Sequence, residues 1–487
     1  VNIAQHLERA ARWFADRPAL RFGDRSWTYG ELEAQAAALA GGFLRLGLAP
    51  GERVGLHLPN WPEFVIAYYA LQKVGLVPLS LNAAYRREEL EYIIRDADAS
   101  AVITADPLAA HLPPREALPR VRHWLQARQL EALSGPPQRA VERHRDETAA
   151  ILYTSATTGR PKGVMLTHAN LVSNAYATVH HLRMTEADRG LCALPLFHCF
   201  GQNFIMNALV TCGGLLVLQE RFVPTEFAAA VRHHGITLFY GVPTMYIVLL
   251  GSADRYDFSS VRIFFSAAAS LPADVERRWQ AVYGRPIHQG YGLTESSPFA
   301  SYNHEVAHRP GSVGTPIENV EMKVADESGR ELPDGEPGEI WIRGPNVMKG
   351  YFGQPDATAD VLRDGWLRSG DIGYRDADGY FYLVDRVKDM INVAGFKVFP
   401  REVEEVLFRH PAVKEAAVLG MPDPVRGEAV RAFVVLNPGA RVTAEELQAL
   451  CRDALAPYKV PERLEFLEAL PKSPSGKILK KELRLRP

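Results

Sequence analysis

The sequence predicts an α/β protein with a large N-terminal unit of doubly wound sheets, a small β-barrel region, and a small α/β unit at its C-terminal end. Three observations predict this. Helix and strand patterns alternate through the first half of the chain. Short strands separated by Gly, Pro and Asp turns take over from about Gly311. A third texture, again mixed helix and strand, follows Asp385-Arg386. At 487 residues the chain is also too long for one ordinary core. The expected units are 1–387, with a β-rich subregion at about 311–385, and 388–487.

The elements follow in order. The first residues, V-N-I-A-Q-H-L-E-R-A, read as an amphipathic helix rather than a signal peptide. Thr28 and Glu31 form a capping box that opens a helix through Leu44–Leu46, and Gly47 stops it. Arg53–Leu58 is a strand, Asn60-Trp61-Pro62-Glu63 opens a second helix, and Leu76–Leu81 is the next strand. Strand, helix, strand at this spacing means a parallel sheet. The pattern recurs at Gly214–Leu218, Ile236–Tyr240 and Ile263–Ser266. Beyond Asp385-Arg386 come a hairpin at Val393–Val398, a helix at Pro400–Arg409, strands at Ala416–Leu419 and Val430–Leu436, and a helix capped by Thr443 and Glu446.

Composition narrows the function classes. Lys+Arg 55 against Asp+Glu 57 gives no general basic surface for nucleic acid or an anionic membrane. The longest apolar stretch, Phe204–Leu218, is broken by Asn207, Thr211 and Gly213-Gly214, short of the roughly 20 apolar residues a bilayer span needs. Cys192, Cys199, Cys212 and Cys451 form no C-x-x-C pair and read as buried thiols of a reducing compartment. A cytoplasmic enzyme with a local anion site is the expectation.

The anion site is the stretch Y-T-S-A-T-T-G-R-P-K-G at 153–163. It offers hydroxyl, backbone N–H and ammonium donors to a phosphate. It is not a Walker loop, because Arg160 follows Gly159 where Lys is required. Gly476-Lys477 fails the same motif, and G-Y-G at 290–292 lacks the third glycine of a dinucleotide fingerprint. No H-E-x-x-H or G-x-S-x-G is present. Alone, a Ser/Thr/Gly loop reads first as a surface turn. Y-G-L-T-E at 291–295 then places a hydroxyl, Thr294, beside a carboxylate, Glu295, after the strand Ile287–Gln289. The hydroxyl suits a phosphate and the carboxylate suits Mg²⁺, although a helix N-terminus would look the same. S-G-D at 369–371 presents Asp371, whose two oxygens suit the two hydroxyls of a ribose or merely an Asx-turn. D-R-V-K-D at 385–389 and P-K-S-P-S-G-K at 471–477 read alone as a charged linker and a basic tail.

In order, spacing and wording, these five segments resemble the adenylate-forming superfamily of acyl-CoA synthetases, aryl-CoA ligases, adenylation domains and luciferase, over essentially the whole chain. Its hallmark loop reads Y-T-S-G-T-T-G-x-P-K-G, and Ala156 is the one departure at 153–163. The resemblance implies that Thr154, Ser155, Thr157, Thr158, Gly159 and Lys162 hold the β- and γ-phosphates of ATP. It implies that Gln289, Gly290 and Tyr291 line adenine, that Thr294 meets the α-phosphate, that Glu295 holds Mg²⁺, and that Asp371 and Arg386 bind ribose. Lys477 would bridge the substrate carboxylate and the α-phosphate, Lys388 would be the hinge of a mobile C-terminal unit, and Ala394 and Gly395 would pass beside the pantetheine arm of CoA. Arg221 aligns with a basic contact to CoA phosphate.

L-P-L-F-H-C-F-G at 194–201 resembles the family's acyl gate, with His198 as the gating aromatic or, alternatively, a satisfied core histidine. Lys477, Thr294 and His198 are the expected catalytic set. His198, Tyr240, Gly241, Ala267 and Gly292 are the expected pocket residues. The surrounding segments carry no Arg or Lys to clamp a second carboxylate, so an apolar monocarboxylic acid is expected. V-M-K-G-Y at 347–351 and F-K-V-F-P-R-E-V-E at 396–404 are worded like medium- to long-chain fatty acyl-CoA synthetases, with aryl acids or loading of a separate carrier protein as alternatives. Ala267 replaces a second family glycine. Oligomeric state is not written in these residues; the resemblance implies only that a homodimer is common.

Overall fold

The computed structural model describes residues 1–154, 160–252, 255–386, 389–393, 396–424, 426–473 and 476–486. The sequence-predicted residues Ser155, Thr157, Thr158, Gly159, Lys388, Ala394 and Gly395 lie outside the described residues, as does Ala156.

Two large sheets carry the N-terminal part. The first has nine strands in the order Thr315–Pro316, Phe299–Tyr302, Ile287–Gly292, Ile263–Ser266, Leu238–Gly241, Arg189–Cys192, Leu215–Leu218, Pro18–Phe22 and Arg25–Thr28. Its six central strands, from Ile287–Gly292 to Pro18–Phe22, run parallel. The second has seven strands in the order Gly350–Tyr351, Lys162–Thr167, Thr148–Thr154, Val77–Ser80, Arg53–His57, Ala99–Thr104 and His123–Gln126. Both read as near-continuous apolar runs because both faces are covered.

Helices Tyr29–Arg45, Pro62–Lys73 and His168–His181 and the π-helix Phe200–Asn207 pack in the layer shared by the two sheets. Thr28 caps the first of these as expected, accepting from Glu31 N while Glu31 bonds back to Thr28 N. Gln202, in the π-helix, donates to Ser80 Oγ of the seven-stranded sheet at 2.7 Å. The outer face of that sheet is covered by Arg87–Asp96 through Leu90, Ile93 and Ile94.

The β-rich stretch is a five-stranded antiparallel sheet of Glu321–Ala325, Gly338–Arg343, Leu362–Arg363, Trp366–Arg375 and Phe381–Arg386. The last sheet contains the hairpin Ile391–Val393 and Phe396–Val398 with Val413–Asp423, Gly427–Leu436 and Arg463–Phe466. Its period-2 pattern splits cleanly between two faces. Ala416 and Val418 pack with helices Pro400–Phe408 and Ala444–Ala454, while Ala417 and Leu419 pack with Leu470 and Leu483. These buried residues share no cluster with the core that ends at Phe381. No helix among the described residues is long and apolar enough to cross a membrane, and all four cysteines are free thiols.

Candidate active site

Parallel strands collect functional groups at their C-terminal ends, where the chain leaves the sheet. Here Leu238–Gly241, Ile263–Ser266 and Ile287–Gly292 end side by side. They deliver Gly241, Ala267, Gly292 and the turn Thr294–Ser296 to one edge. Arg221 is exposed on the loop after Leu215–Leu218, on the same edge and two strands from Gly241. Ala267 N bonds Gly241 O at 3.4 Å, and the positive φ in this loop falls on the next residue, Ala268 at +70°. Ala267 therefore sits where a methyl group costs no backbone strain.

One wall is polar and buried. Tyr291 OH donates to Asp371 Oδ2 at 2.8 Å, and Asp371 faces Arg386 across the antiparallel pair. Gln289 Nε2 is buried with no hydrogen-bond partner among the described residues. An orphaned amide donor two residues before a tyrosine that fixes a carboxylate fits a ligand that brings its own acceptors and hydroxyls.

A second wall gathers residues that the sequence assigned to the phosphate side. Thr154 ends strand Thr148–Thr154 and pairs with Lys162 across the antiparallel ladder. Lys162 Nζ stands 5.0 Å from the centre of the Tyr351 ring, and Tyr351 OH donates to Glu295 Oε1 at 2.9 Å. Thr294 is buried next to Glu295. Among the described residues no three His, Cys, Asp or Glu side chains cluster to hold a metal ion. Glu295 contributes one carboxylate at this wall. That fits Mg²⁺, which is commonly bound by one or two carboxylates plus substrate phosphates.

The third wall comes from the gating segment and the C-terminal part. Asn60 fixes the gate by donating to Leu194 O and accepting from Leu196 N, each at 2.8 Å. His198 follows. Its pKa is pushed down to about 3, first by burial and then by the Lys477 ammonium nearby. Gly476, with φ +80°, lies so close to the segment after Leu238–Gly241 that a Cβ there would stand 2.9 Å from Val242 Cγ2. The loop carrying Lys477 is therefore docked on the large unit, close enough for the lysine charge to act on His198. Tyr240 is fully buried, and its ring packs on Phe204 and Gly190, among the core aromatics.

Three participants were not singled out from the sequence. Tyr351 had appeared only as family wording and Asn60 only as a helix opener, while Asn203 lies two residues past the gate segment 194–201. Asn203 Nδ2 bonds Ser297 O at 2.6 Å and ties the π-helix to the Thr294–Glu295 turn.

A family model described as AMP-binding enzyme matches residues 7–352, and one described as AMP-binding enzyme C-terminal domain matches residues 402–477. The chain belongs to the AMP-binding enzyme family, the adenylate-forming ligases. It is 38% identical to a long-chain-fatty-acid–CoA ligase of Bacillus subtilis over 98% of this chain and 93% of that protein. It is 40% identical to a feruloyl-CoA synthase of an Amycolatopsis species, over 98% and 97%. A solved anthranilate CoA ligase in complex with anthranoyl-AMP superposes with a TM-score of 0.94 at 31% identity, covering 99% of this chain and 96% of that one.

Proposed function

We propose that this ligase activates an apolar monocarboxylic acid with ATP and transfers the acyl group to CoA, releasing pyrophosphate and then AMP. The observation that carries the reading is the convergence of three walls: Tyr291–Asp371, Glu295–Tyr351–Lys162, and His198 with Lys477.

A carboxylate repels a thiolate and must first be made electrophilic. In the first half-reaction a carboxylate oxygen attacks the α-phosphorus of ATP, an acyl–O–P bond forms and the bond to pyrophosphate breaks. Negative charge grows on the phosphorus oxygens. Lys477, a compact point charge, would touch both the incoming carboxylate and the α-phosphate. Thr294 would donate to the α-phosphate, while Lys162, Thr154, Ser155, Thr157, Thr158 and Gly159 hold the departing end. Asp371 and Arg386 would orient the ribose, and Gln289 would pair with the base edge beside Gly290 and Tyr291. Glu295, oriented by Tyr351, would hold Mg²⁺, which neutralises phosphate charge when bound. In the second half-reaction the CoA sulfur attacks the acyl carbon and AMP leaves. We take Lys388 as the hinge between units 1–387 and 388–487, with Ala394, Gly395 and Arg221 serving CoA after Lys477 withdraws.

Neutral His198 suits a gate for an apolar acid, since the pocket side presents no added charge. The medium- to long-chain expectation is supported by the Bacillus relative, and the aryl alternative by the feruloyl and anthranilate ones. The test is AMP release on a panel of acids with CoA, with a holo-carrier protein, and with neither. CoA-dependent release is expected. Release only with the carrier would replace the acceptor, and no release with any acid would overturn the reading.

A further inference from the structure

On the ligase reading above, the carboxylate lies near Thr294 and Lys477, and the nucleotide occupies the Tyr291–Asp371 wall. On that reading the acid's tail points away from the nucleotide, toward His198 and the π-helix Phe200–Asn207 that follows it. That direction is closed by aromatic rings. Phe204 is 2% exposed, and its ring centre lies 4.4 Å from that of Phe265, 4.9 Å from Phe299 and 5.3 Å from Phe200. Phe265 lies across the strand that carries the site, so that a Cβ on Gly290 would stand 2.3 Å from Phe265 Cζ and 3.3 Å from Phe299 Cε2.

Three separate elements contribute these rings, namely the gate helix, strand Ile263–Ser266 and strand Phe299–Tyr302. Their relative positions are pinned. Asn203, the neighbour of Phe204, bonds Ser297 O, two residues before Phe299, and Ser297 Oγ bonds Asn346 O at 2.7 Å. Close-packed rings held from both sides resist displacement by a flexible chain, because opening them forfeits contacts on every face.

We propose that Phe204, backed by Phe265 and Phe299, is the floor of the acyl pocket and restricts this ligase to compact acids, of benzoate size or short straight chain. The chain thereby departs from the medium- to long-chain preference that its wording suggested. Truncating the floor creates depth that a longer tail can fill, and each added methylene that fits a pocket is worth about 10-fold or more in discrimination.

The test measures kcat/KM for CoA-dependent pyrophosphate release with benzoate, hexanoate, dodecanoate and hexadecanoate, in the wild-type chain and in Phe204→Ala. The wild type should favour the two compact acids. Phe204→Ala should raise the dodecanoate-to-benzoate ratio by at least about 10-fold, chiefly through KM. Phe204→Leu keeps the core filled and Phe299→Val thins the floor from the opposite element, and both should move the ratio in the same direction should the alanine variant not fold. A wild type that prefers hexadecanoate, or variants that keep the wild-type length profile, would overturn the floor and leave the ligase reading standing. Absence of pyrophosphate release with every acid would overturn both.

Discussion

His198 shows how one residue's surroundings set its chemistry. Burial and the nearby Lys477 ammonium both disfavour the imidazolium, so its pKa falls from the ordinary 6.5 to about 3. The folded state then binds a proton less readily than the unfolded chain. The associated stability is present in full above pH 6.5 and is lost as pH falls from 6.5 toward 3. The denaturation midpoint should therefore drop on acidification through this window, and His198→Gln should flatten that slope. An unchanged slope would contradict the neutral, crowded imidazole. The type and position of this group were legible, because L-P-L-F-H carries it. Its environment was not, since Lys477 is remote in sequence and reaches it only through the docked C-terminal loop. Glu295 tells the same story: its partner Tyr351 is 56 residues away, on an edge strand of the other sheet.

Elements with local signals were read well. The capping boxes at Thr28 and Thr443 both form, because their donors and acceptors lie within one turn. The strands Arg53–His57 and Ile263–Ser266 fall where apolar runs between turn signals placed them. The π-helix Phe200–Asn207 carried no such signal. Its residues are all buried, so no polar face marks a period, and of its polar residues Gln202, Asn203 and Asn207 only the last read as a break in an apolar stretch. The structure shows why they are polar. Asn207 Nδ2 donates to Tyr68 OH at 3.0 Å and to Asn203 Oδ1 at 2.9 Å, and its Oδ1 accepts from Tyr69 OH at 2.7 Å. The network binds the gate helix to Pro62–Lys73 and, through Asn203, to the Thr294–Glu295 turn. Asn207→Leu would strip partners from groups that water cannot reach. A loss of about 1–3 kcal/mol in urea unfolding is expected, and a loss below about 0.5 kcal/mol would show the network to be dispensable.

At the scale of the molecule, the candidate site draws on three parts: the C-terminal ends of a parallel sheet, the antiparallel sheet that carries Asp371, and the small unit that carries Lys477. Alternating patterns announced the first, and the change of texture after Gly311 and after Asp385 announced the others. How the small unit sits was not legible, because docking depends on surface shape rather than on periodicity. Gly476 against Val242 and Thr244 shows the loop that carries Lys477 seated on the large unit. Helix Pro400–Phe408 reinforces it, with Arg401 N bonded to Asp385 Oδ2 and its guanidinium bonded to Leu383 O. On the proposed mechanism, the lysine in this orientation would serve adenylate formation and would have no part in thioester formation once the unit turned.

The most direct measurement is therefore the split between half-reactions in Lys477→Ala. Pyrophosphate release from acid and ATP should fall by about 10²–10³ or more, while acyl-CoA formation from supplied acyl-adenylate and CoA should continue near the wild-type rate. Equal loss of both half-reactions, or retention of adenylation, would contradict the assignment of Lys477 and with it the account of two steps sharing one site.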